Sequence, residues 1–461
     1  MMPKAAATEV VRTLRAKGHA AWLVGGCVRD LVLGREPADY DVTTSATPEQ
    51  VMTIFPKTFA VGAQFGVMLV AFDSAPANDQ GPTANDGSFN IEVATFRSDV
   101  GYSDGRHPDA VVYARSAEED VQRRDFTING LLMDPLSGEV VDYVGGRAAI
   151  ENKVIRTIGD PLLRFTEDKL RMLRAVRFAA RFGYRVDDAT LAAIRKLAPQ
   201  VHQVSHERIR DELVKMLTEG AARRAFELLD ETGLLHELLP EVERMKGVEQ
   251  PPQFHPEGDV WVHTLLVLEK LQAAVPPALA LGALLHDVGK PPTFRVAPDR
   301  IRFDGHVEVG ERMAQEICSR LRLSHAETEH VCALVANHMR FADAPRMKAS
   351  TLKRFFRLPK FEEHLELHRM DCLSSHADLS LYDFVKQKLA ATPPEQIRPQ
   401  PLVTGHDLIA LGYQPGPEFK SILQAAEDAQ LEAHFSTKEA ALEFVRRAFP
   451  APSAVQPRKN Q

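Results

Sequence analysis

The chain has 461 residues, a net charge of −7, 44% hydrophobic and 26% charged residues, the composition of ordinary folded domains and not of a disordered chain. The acidic balance argues against a protein that coats nucleic acid indiscriminately, although it leaves room for a local basic track. No run approaches the ~18 to 20 apolar residues of a membrane span; the N-terminus lacks a signal-peptide core, and the four cysteines (Cys27, Cys318, Cys332, Cys372) have no CxxC spacing, which fits a reducing cytoplasm.

In chain order, residues 5–17 read as an amphipathic helix. Ala21–Val24 is a short apolar run that stops at Gly25-Gly26, the pattern of a strand ending in a tight turn. Residues 28–33 then read as one or two helical turns closed by Gly34. Glycines at a strand-to-helix turn let backbone N–H groups approach a phosphate closely, so Gly26 and, by its positive charge, Arg29 are candidates for a phosphate cradle. Residues 38–44 read as a strand, which would place Asp39 and Asp41 on one face. Two carboxylates so close repel unless a cation neutralises them, and Mg²⁺ suits carboxylates shared with substrate phosphates. Alone, a Gly-Gly is usually a turn and an Asp-x-Asp a solvated strand end; together and in this order they are far more specific.

Residues 48–55 read as a second helix, and 65–72 and 89–96 as paired strands joined by a polar loop over 73–88. Glu92 has two readings, a third carboxylate of the metal site or a half-exposed strand residue. Residues 99–109 are rich in turn formers and read as a polar loop.

Gly25-Gly26-Cys27-Val28-Arg29-Asp30 followed by Asp39-Tyr40-Asp41 resembles the head of the class II tRNA nucleotidyltransferase and bacterial poly(A) polymerase family. The resemblance implies a polymerase-β-like palm, with the 99–109 loop helping to switch nucleotide choice. It continues through Arg123-Arg124-Asp125-Phe126-Thr127-Ile128-Asn129, read as an Arg pair leading an apolar helix, and implies that Arg124 binds the nucleotide phosphates. Residues 135–146 close the head.

Residues 164–181 read as one continuous helix with no Gly or Pro. Asp168, Arg171, Arg174 and Arg177 recur every three residues along one side, while Leu170, Leu173, Val176 and Phe178 face a core. Basic residues without acids from Lys169 to Arg181 favour an anionic ligand over an ion-paired surface. Glu167-Asp168-Lys169-Leu170-Arg171 resembles the family's Glu-Asp-x-x-Arg motif. That resemblance implies that Asp168 and Arg171 hydrogen-bond the edge of the incoming base, and that Arg174 and Arg177 contact the nucleotide. The chemistry permits such a protein template, because a carboxylate accepts from an exocyclic amine and Arg donates to ring nitrogen or carbonyl.

Residues 186–244 are helix-rich, and Pro251-Pro252 with His255-Pro256 mark a boundary. Beyond it stand His263, His286-Asp287, His306, His338 and Asp371. A His-Asp pair at a helix end, with a His upstream and an Asp far downstream, can converge on one or two divalent metals. Together they resemble the HD phosphohydrolase superfamily: His263, His286, Asp287 and Asp371 as ligands, and His306 and His338 for a second metal. The pro-rich stretch 391–403 reads as a linker, 404–449 as helical, and 450–461 as a disordered tail.

The expected fold class is α+β: a mixed-sheet nucleotidyltransferase head (1–150), then an all-α neck (151–247), an HD domain (248–390) and a helical tail (391–461). The expected function is template-independent addition of CCA, or part of it, to tRNA 3′ ends from CTP and ATP. Asp39 and Asp41 would act through Mg²⁺, while Mn, Ni, Co, Fe or Mg would serve the HD site. The alternatives are A-only or poly(A) synthesis, or an HD phosphohydrolase whose head only binds nucleotide. The expected partners are a tRNA or other RNA 3′ end, ATP and CTP, with no membrane. A non-catalytic RNA-binding protein would leave both acid clusters unexplained.

Overall fold

The structure, a computed structural model, describes residues 2–60, 66–73, 88–100, 110–114, 116–253 and 255–450. The loops expected over 73–88 and 99–109 and the tail beyond 450 lie largely outside the described residues. The chain forms two compact units. The first holds the described residues up to Glu243 with Leu271–Val275 and Ser319–Leu323; the second holds Arg244–Lys270, Pro276–Cys318 and the described residues from Ser324 on.

The first unit opens with α1 (Pro3–Ala16), whose apolar face of Ala6, Val10 and Leu14 is fully buried. Then follow β1 (Ala21–Val24), α2 (Gly26–Val32), β2 (Asp41–Thr44), α3 (Pro48–Ile54), β3 (Thr58–Phe59), β4 (Val67–Asp73) and β5 (Ser88–Thr95). A hairpin of β6 (Arg97–Val100) and β7 (Ala110–Tyr113) leads to α4 (Ala117–Gln122), β8 (Leu131–Met133), β9 (Val140–Asp142) and α5 (Gly146–Glu151). The main sheet has the order β3-β4-β5-β2-β1-β8-β9. All its pairings are antiparallel except β2 with β5. The mixed sheet therefore puts β2 at its centre, flanked by β1 and β5.

Two expectations change around the sheet. The β2 strand begins at Asp41, so Asp39 sits in the bend before it instead of sharing its pleat. The Arg123-Arg124 pair does not lead an apolar helix: α4 ends at Gln122, and a single 3₁₀ turn at Thr127–Asn129 gives way to β8. Leu131-Leu132-Met133 are helix formers, but their pairing with β1 and β9 outweighs that propensity.

Beyond the sheet, β10 (Val154–Ile155) leads to α6 (Pro161–Glu167) and α7 (Leu170–Phe182). The helix expected over 164–181 is thus two helices. Asp168 is extended (φ −145°, ψ 106°) and its Oδ1 accepts from the N–H of Leu170 at 3.0 Å, so this acid ends one helix and caps the next. Strand β11 (Arg185–Val186) pairs with β10, and α8 (Asp188–Leu197), α9 (His206–Thr218), α10 (Ala222–Glu231), α11 (Leu234–Leu238) and α12 (Pro240–Glu243) complete the bundle.

The second unit is helical. It begins with α13 (Val260–Glu269), α14 (Pro277–Leu285) and α15 (Lys290–Thr293), then a small hairpin, β12 (Arg295–Val296) with β13 (Ile301–Arg302). Next come α16 (His306–Arg320), α17 (His325–Asn337), α18 (Ala349–Phe356), α19 (Phe361–Ser374) and α20 (Ser380–Ala390). The apolar run of α14 is buried throughout, as suits a central helix with neighbours on every side. The stretch read as a linker contains one helical turn, α21 (Pro394–Ile397); Ile397 packs on a core of Phe355, Phe356 and Phe361, and its carbonyl accepts from Arg357. Its apolar contact outweighs its proline content. Helices α22 (Gly405–Ala410), α23 (Pro417–Leu431) and α24 (Lys438–Ala448) end the described chain around Leu408, Ile422 and Val445.

Candidate functional site

The first unit gathers three carboxylates at the centre of its sheet. The β1–β2 register sets Val24, the last residue before the glycine turn, opposite Asp41. The parallel β2–β5 register sets Glu92 on the other side of Asp41. Burial, then Glu92, then Asp39 push the Asp41 carboxyl up to about 7 against the pull of Arg124. Burial and Asp39 likewise raise Glu92. Glu92 therefore belongs to the acid cluster. A cluster that resists ionisation for want of positive charge is a fitting seat for a hard divalent cation.

The glycine turn beside it needs glycine. Gly25 has φ +79° and ψ −135°, a region closed to side chains, and a Cβ there would stand 3.5 Å from Nη1 of Arg124. Arg124 thus faces the turn at Gly25, and the Arg29 guanidinium lies at Gly26, 3.6 Å from where a Cβ would stand. Arg29 is not in an open cradle: it is buried, bonds Asp30 and the Asn129 side chain (2.7 Å), and lies 4.7 Å from the Phe182 ring centroid. Burial lowers its pKa, opposed chiefly by Asp30.

The arginine stripe of α7 also departs from expectation, because each residue meets an acid. Arg171 bonds Glu167 at 2.6 Å and the Arg123 carbonyl at 3.2 Å. Arg174 holds Asp125 at 2.7 Å. Arg177, 5% exposed, is paired with Glu212 at 2.7 Å and with Glu219. Arg181 pairs with Glu219. The run from Lys169 to Arg181 has no acids, but Glu167 at the end of α6, Glu212 and Glu219 in and just after α9, and Asp125 supply them. Asp168 and Arg171 keep part of their surface, whereas Arg177 is enclosed. Arg208 of α9 donates to Asp168 Oδ2 at 2.7 Å, a partner forty positions downstream that no local pattern signals.

In the second unit the His and Asp residues converge. His263 Nε2 lies 3.1 Å from Asp371 Oδ1 and 3.3 Å from His286 Nε2. Asp287 Oδ2 lies 3.2 Å from His286 Nε2, while its Oδ1 faces His306 Nε2 at 3.9 Å and His338 Nε2 at 3.7 Å. His286, His306 and His338 each donate Nδ1–H to a backbone carbonyl, of Ala283, Phe303 and Val335 at 2.9, 2.9 and 2.7 Å. That bond fixes the tautomer and turns the Nε2 lone pair inward, the usual support for a ligating imidazole. The inward Nε2 atoms of His306 and His338 are buried without a hydrogen-bond partner. Two three-residue sets share Asp287: His263, His286 and Asp287, and Asp287, His306 and His338. These donors fit one or two divalent metals, with Asp287 between them.

The charges agree. Burial opposes protonation of His263, but Asp371 and Glu257 outweigh it and raise its pKa to about 9, so the site draws positive charge. Burial pushes His338 down to about 4 and lowers His306, which keeps both as neutral donors. Two supporting residues escaped the sequence reading. Glu257 Oε1 sits 2.7 Å from His263 Nδ1, and Lys290 Nζ 2.7 Å from Asp287 Oδ2. The Lys290 spacing, three residues after Asp287, was visible in the chain; nothing local marks Glu257. Gly289 between them is required by close approach, since a Cβ would fall 2.1 Å from the His306 carbonyl oxygen.

Residues 21–156 match the poly A polymerase head domain, 183–246 the family described as the probable RNA and SrmB-binding site of polymerase A, and 260–376 the HD domain. A CCA-adding enzyme of Geobacillus sp. (strain WCH70) is 43% identical over 228 residues, covering 50% of this chain and 53% of the relative. The chain thus spans about half the length of the curated relatives it matches. The fold is similar to that of the Bacillus stearothermophilus CCA-adding enzyme in complex with CTP (TM-score 0.71, 28% identity, 97% and 98% of the two chains). A Thermotoga maritima CCA-adding enzyme complexed with tRNA shares the fold at TM-score 0.57 and 18% identity, over 97% and 96%. Among the described residues no helix is long and apolar enough to cross a membrane. Matches to the head, RNA-binding and HD regions thus follow one another along one chain, and that chain is similar in sequence and fold to CCA-adding enzymes.

Proposed function

We propose that the protein adds CCA, in whole or in part, to the 3′ end of tRNA from CTP and ATP, in the cytoplasm. The observation that carries this reading is the meeting of Asp39, Asp41 and Glu92 beside the Gly25 turn and Arg124. The RNA 3′ hydroxyl attacks the α-phosphate and pyrophosphate leaves. Asp39 and Asp41, with Glu92 beside them, are the residues that would hold Mg²⁺. Bound there, Mg²⁺ supplies Lewis acidity at the attacking and leaving oxygens. Gly26 and Arg124 cradle the triphosphate. Asp168 and Arg171 read the base edge, and Arg174 and Arg177 act behind them by holding α7 in place. The relatives named above support CCA addition over A-only or poly(A) synthesis.

The test is incorporation of labelled CTP and ATP, each alone and together, on tRNA ending at the discriminator, C or CC. Label from both nucleotides is the expected result; label from ATP alone on a CC end identifies an A-adding enzyme, and untemplated A runs a poly(A) polymerase. The double variant Asp39→Ala, Asp41→Ala should abolish incorporation while nucleotide still binds.

A second activity is favoured by the inward Nε2 atoms of His306 and His338. His263, His286, Asp287 and Asp371, with His306 and His338, would hold one or two divalent ions (Mn, Fe, Co, Ni or Mg) for phosphoester hydrolysis. A cavity of about 530 Å³ adjoins them, lined by Lys290, Arg300, Arg302, Phe303 and Met339, a basic and apolar wall suited to a phosphate ester. Release of phosphate from a model monoester or diester, lost on chelation, checks it.

A further inference from the structure

One acid of the first unit has no part in the proposed chemistry, yet it is the most heavily bonded side chain near it. Asp120, in α4, has no exposed surface. Its Oδ2 accepts from the Thr43 hydroxyl at 3.2 Å and from Arg124 Nη2 at 3.1 Å. Its Oδ1 accepts from Arg123 Nε and Nη2 at 3.0 and 2.8 Å and from the N–H of Arg97 at 3.3 Å.

Each donor leads to a different part of the site. Thr43 stands two residues along β2 from Asp41, on the strand that carries that acid. Arg124 faces the glycine turn. Arg123 offers its carbonyl to Arg171 at 3.2 Å. Arg97 opens β6, directly after the strand that bears Glu92. Burial opposes ionisation of Asp120, but Arg124 and Arg123 outweigh it and hold the carboxyl below its usual range. A guanidinium on a flexible stem loses much rotamer freedom when fixed, and a buried carboxylate at its base makes that loss before the ligand arrives.

We propose that Asp120 is the positioning residue that holds Arg124 over the glycine turn and keeps the acid-bearing strand, the phosphate-facing arginine and the base-facing Arg171 in one register. It sets nucleotide affinity and base choice without touching the substrate. This inference rests on the nucleotidyltransferase reading above. An acid that served folding alone would alter melting temperature and the active fraction and leave the Michaelis constants of the active molecules unchanged.

The experiment compares the full chain with D120N, R124Q and the double variant, using steady-state incorporation into tRNA with active-site titration. In D120N the KM for both CTP and ATP should rise about tenfold or more while kcat of the active fraction stays within about threefold, and UTP incorporation should increase relative to CTP. In the double variant the loss should be no greater than in R124Q alone, since both changes break one path. Unchanged KM and base selectivity in D120N, or losses that multiply in the double variant, overturn the proposal. Should D120N fail to fold, T43V keeps the charge and removes a single tether; it should raise KM about threefold, and an unchanged KM overturns the proposal there too. A wild-type protein that incorporates neither nucleotide overturns the underlying reading of the head instead.

Discussion

At the scale of residues, Asp41 concentrates the electrostatics of the acid cluster. Its carboxyl is lifted to about 7 by burial and by Glu92 and Asp39. The sign follows from linkage: an acid with a raised folded-state pKa binds more protons folded than unfolded, so the metal-free protein loses stability as pH rises from about 4 through about 7. A divalent cation competes with that proton, so its stabilising effect grows over the same interval. The melting temperature should therefore rise more on adding Mg²⁺ at pH 8 than at pH 6, as measured by differential scanning fluorimetry. D41N should reduce the pH dependence of that rise, with Glu92 supplying what remains. Equal Mg²⁺ effects at both pH values would separate Asp41 from the cation. Glu92 adds to the same field, and its role follows from register: it is the residue that parallel pairing sets beside Asp41.

At the scale of elements, the arginine-rich α7 behaves as a keystone and not as an open basic face. Phe178 and Phe182 carry guanidinium groups on their rings, with Arg177 at 4.4 Å from the first and Arg29 at 4.7 Å from the second. Arg177 and Glu212 form an almost fully buried pair. Removing one partner strands the other charge, so R177M should cost about 3 kcal/mol in chemical denaturation. Its Michaelis constants for CTP and ATP should stay near wild type, and R177M with E212L should recover most of the stability. A large rise in KM with stability intact would instead place Arg177 against the nucleotide. The break at Asp168 matters for the same reason: a carboxylate at the start of α7, held by Arg208, is fixed in place instead of riding on a continuous helical surface.

At the scale of the molecule, the two compact units carry two polar centres of opposite character. In the first, carboxylates crowd together and their pKa values rise; in the second, Asp287 and Asp371 are held below the ordinary range, against burial, by Lys290 and His286 for the former and by His263 for the latter. In one centre carboxylates outweigh the positive charge near them and the other interleaves imidazoles with acids, so the first suits hard oxygen-bound ions and the second transition metals. D287N should strip bound transition metal from the purified chain, read by elemental analysis, and abolish phosphoester hydrolysis while CTP incorporation persists. D41N should do the reverse. Loss of both activities in either variant would mean that the centres act as one.

Much of this protein was legible in its sequence, because its signals are short-range. The Gly25-Gly26 turn, the Asp39-Tyr40-Asp41 run, the Arg123-Arg124 pair and His286-Asp287 are each a few consecutive residues, whose spacing the chain itself fixes, and their order along it determined the α+β head followed by helices. Partners across elements were not legible. That Glu92 lies beside Asp41, that Glu212 and Asp125 neutralise the α7 arginines, that Arg208 holds Asp168, that Asp120 gathers Thr43, Arg97, Arg123 and Arg124, and that Glu257 backs His263 depends on which elements pack together. Helix and strand periods say which face a side chain occupies; what that face meets, and therefore which charges are spent inside the protein and which remain for a ligand, only the tertiary structure decided.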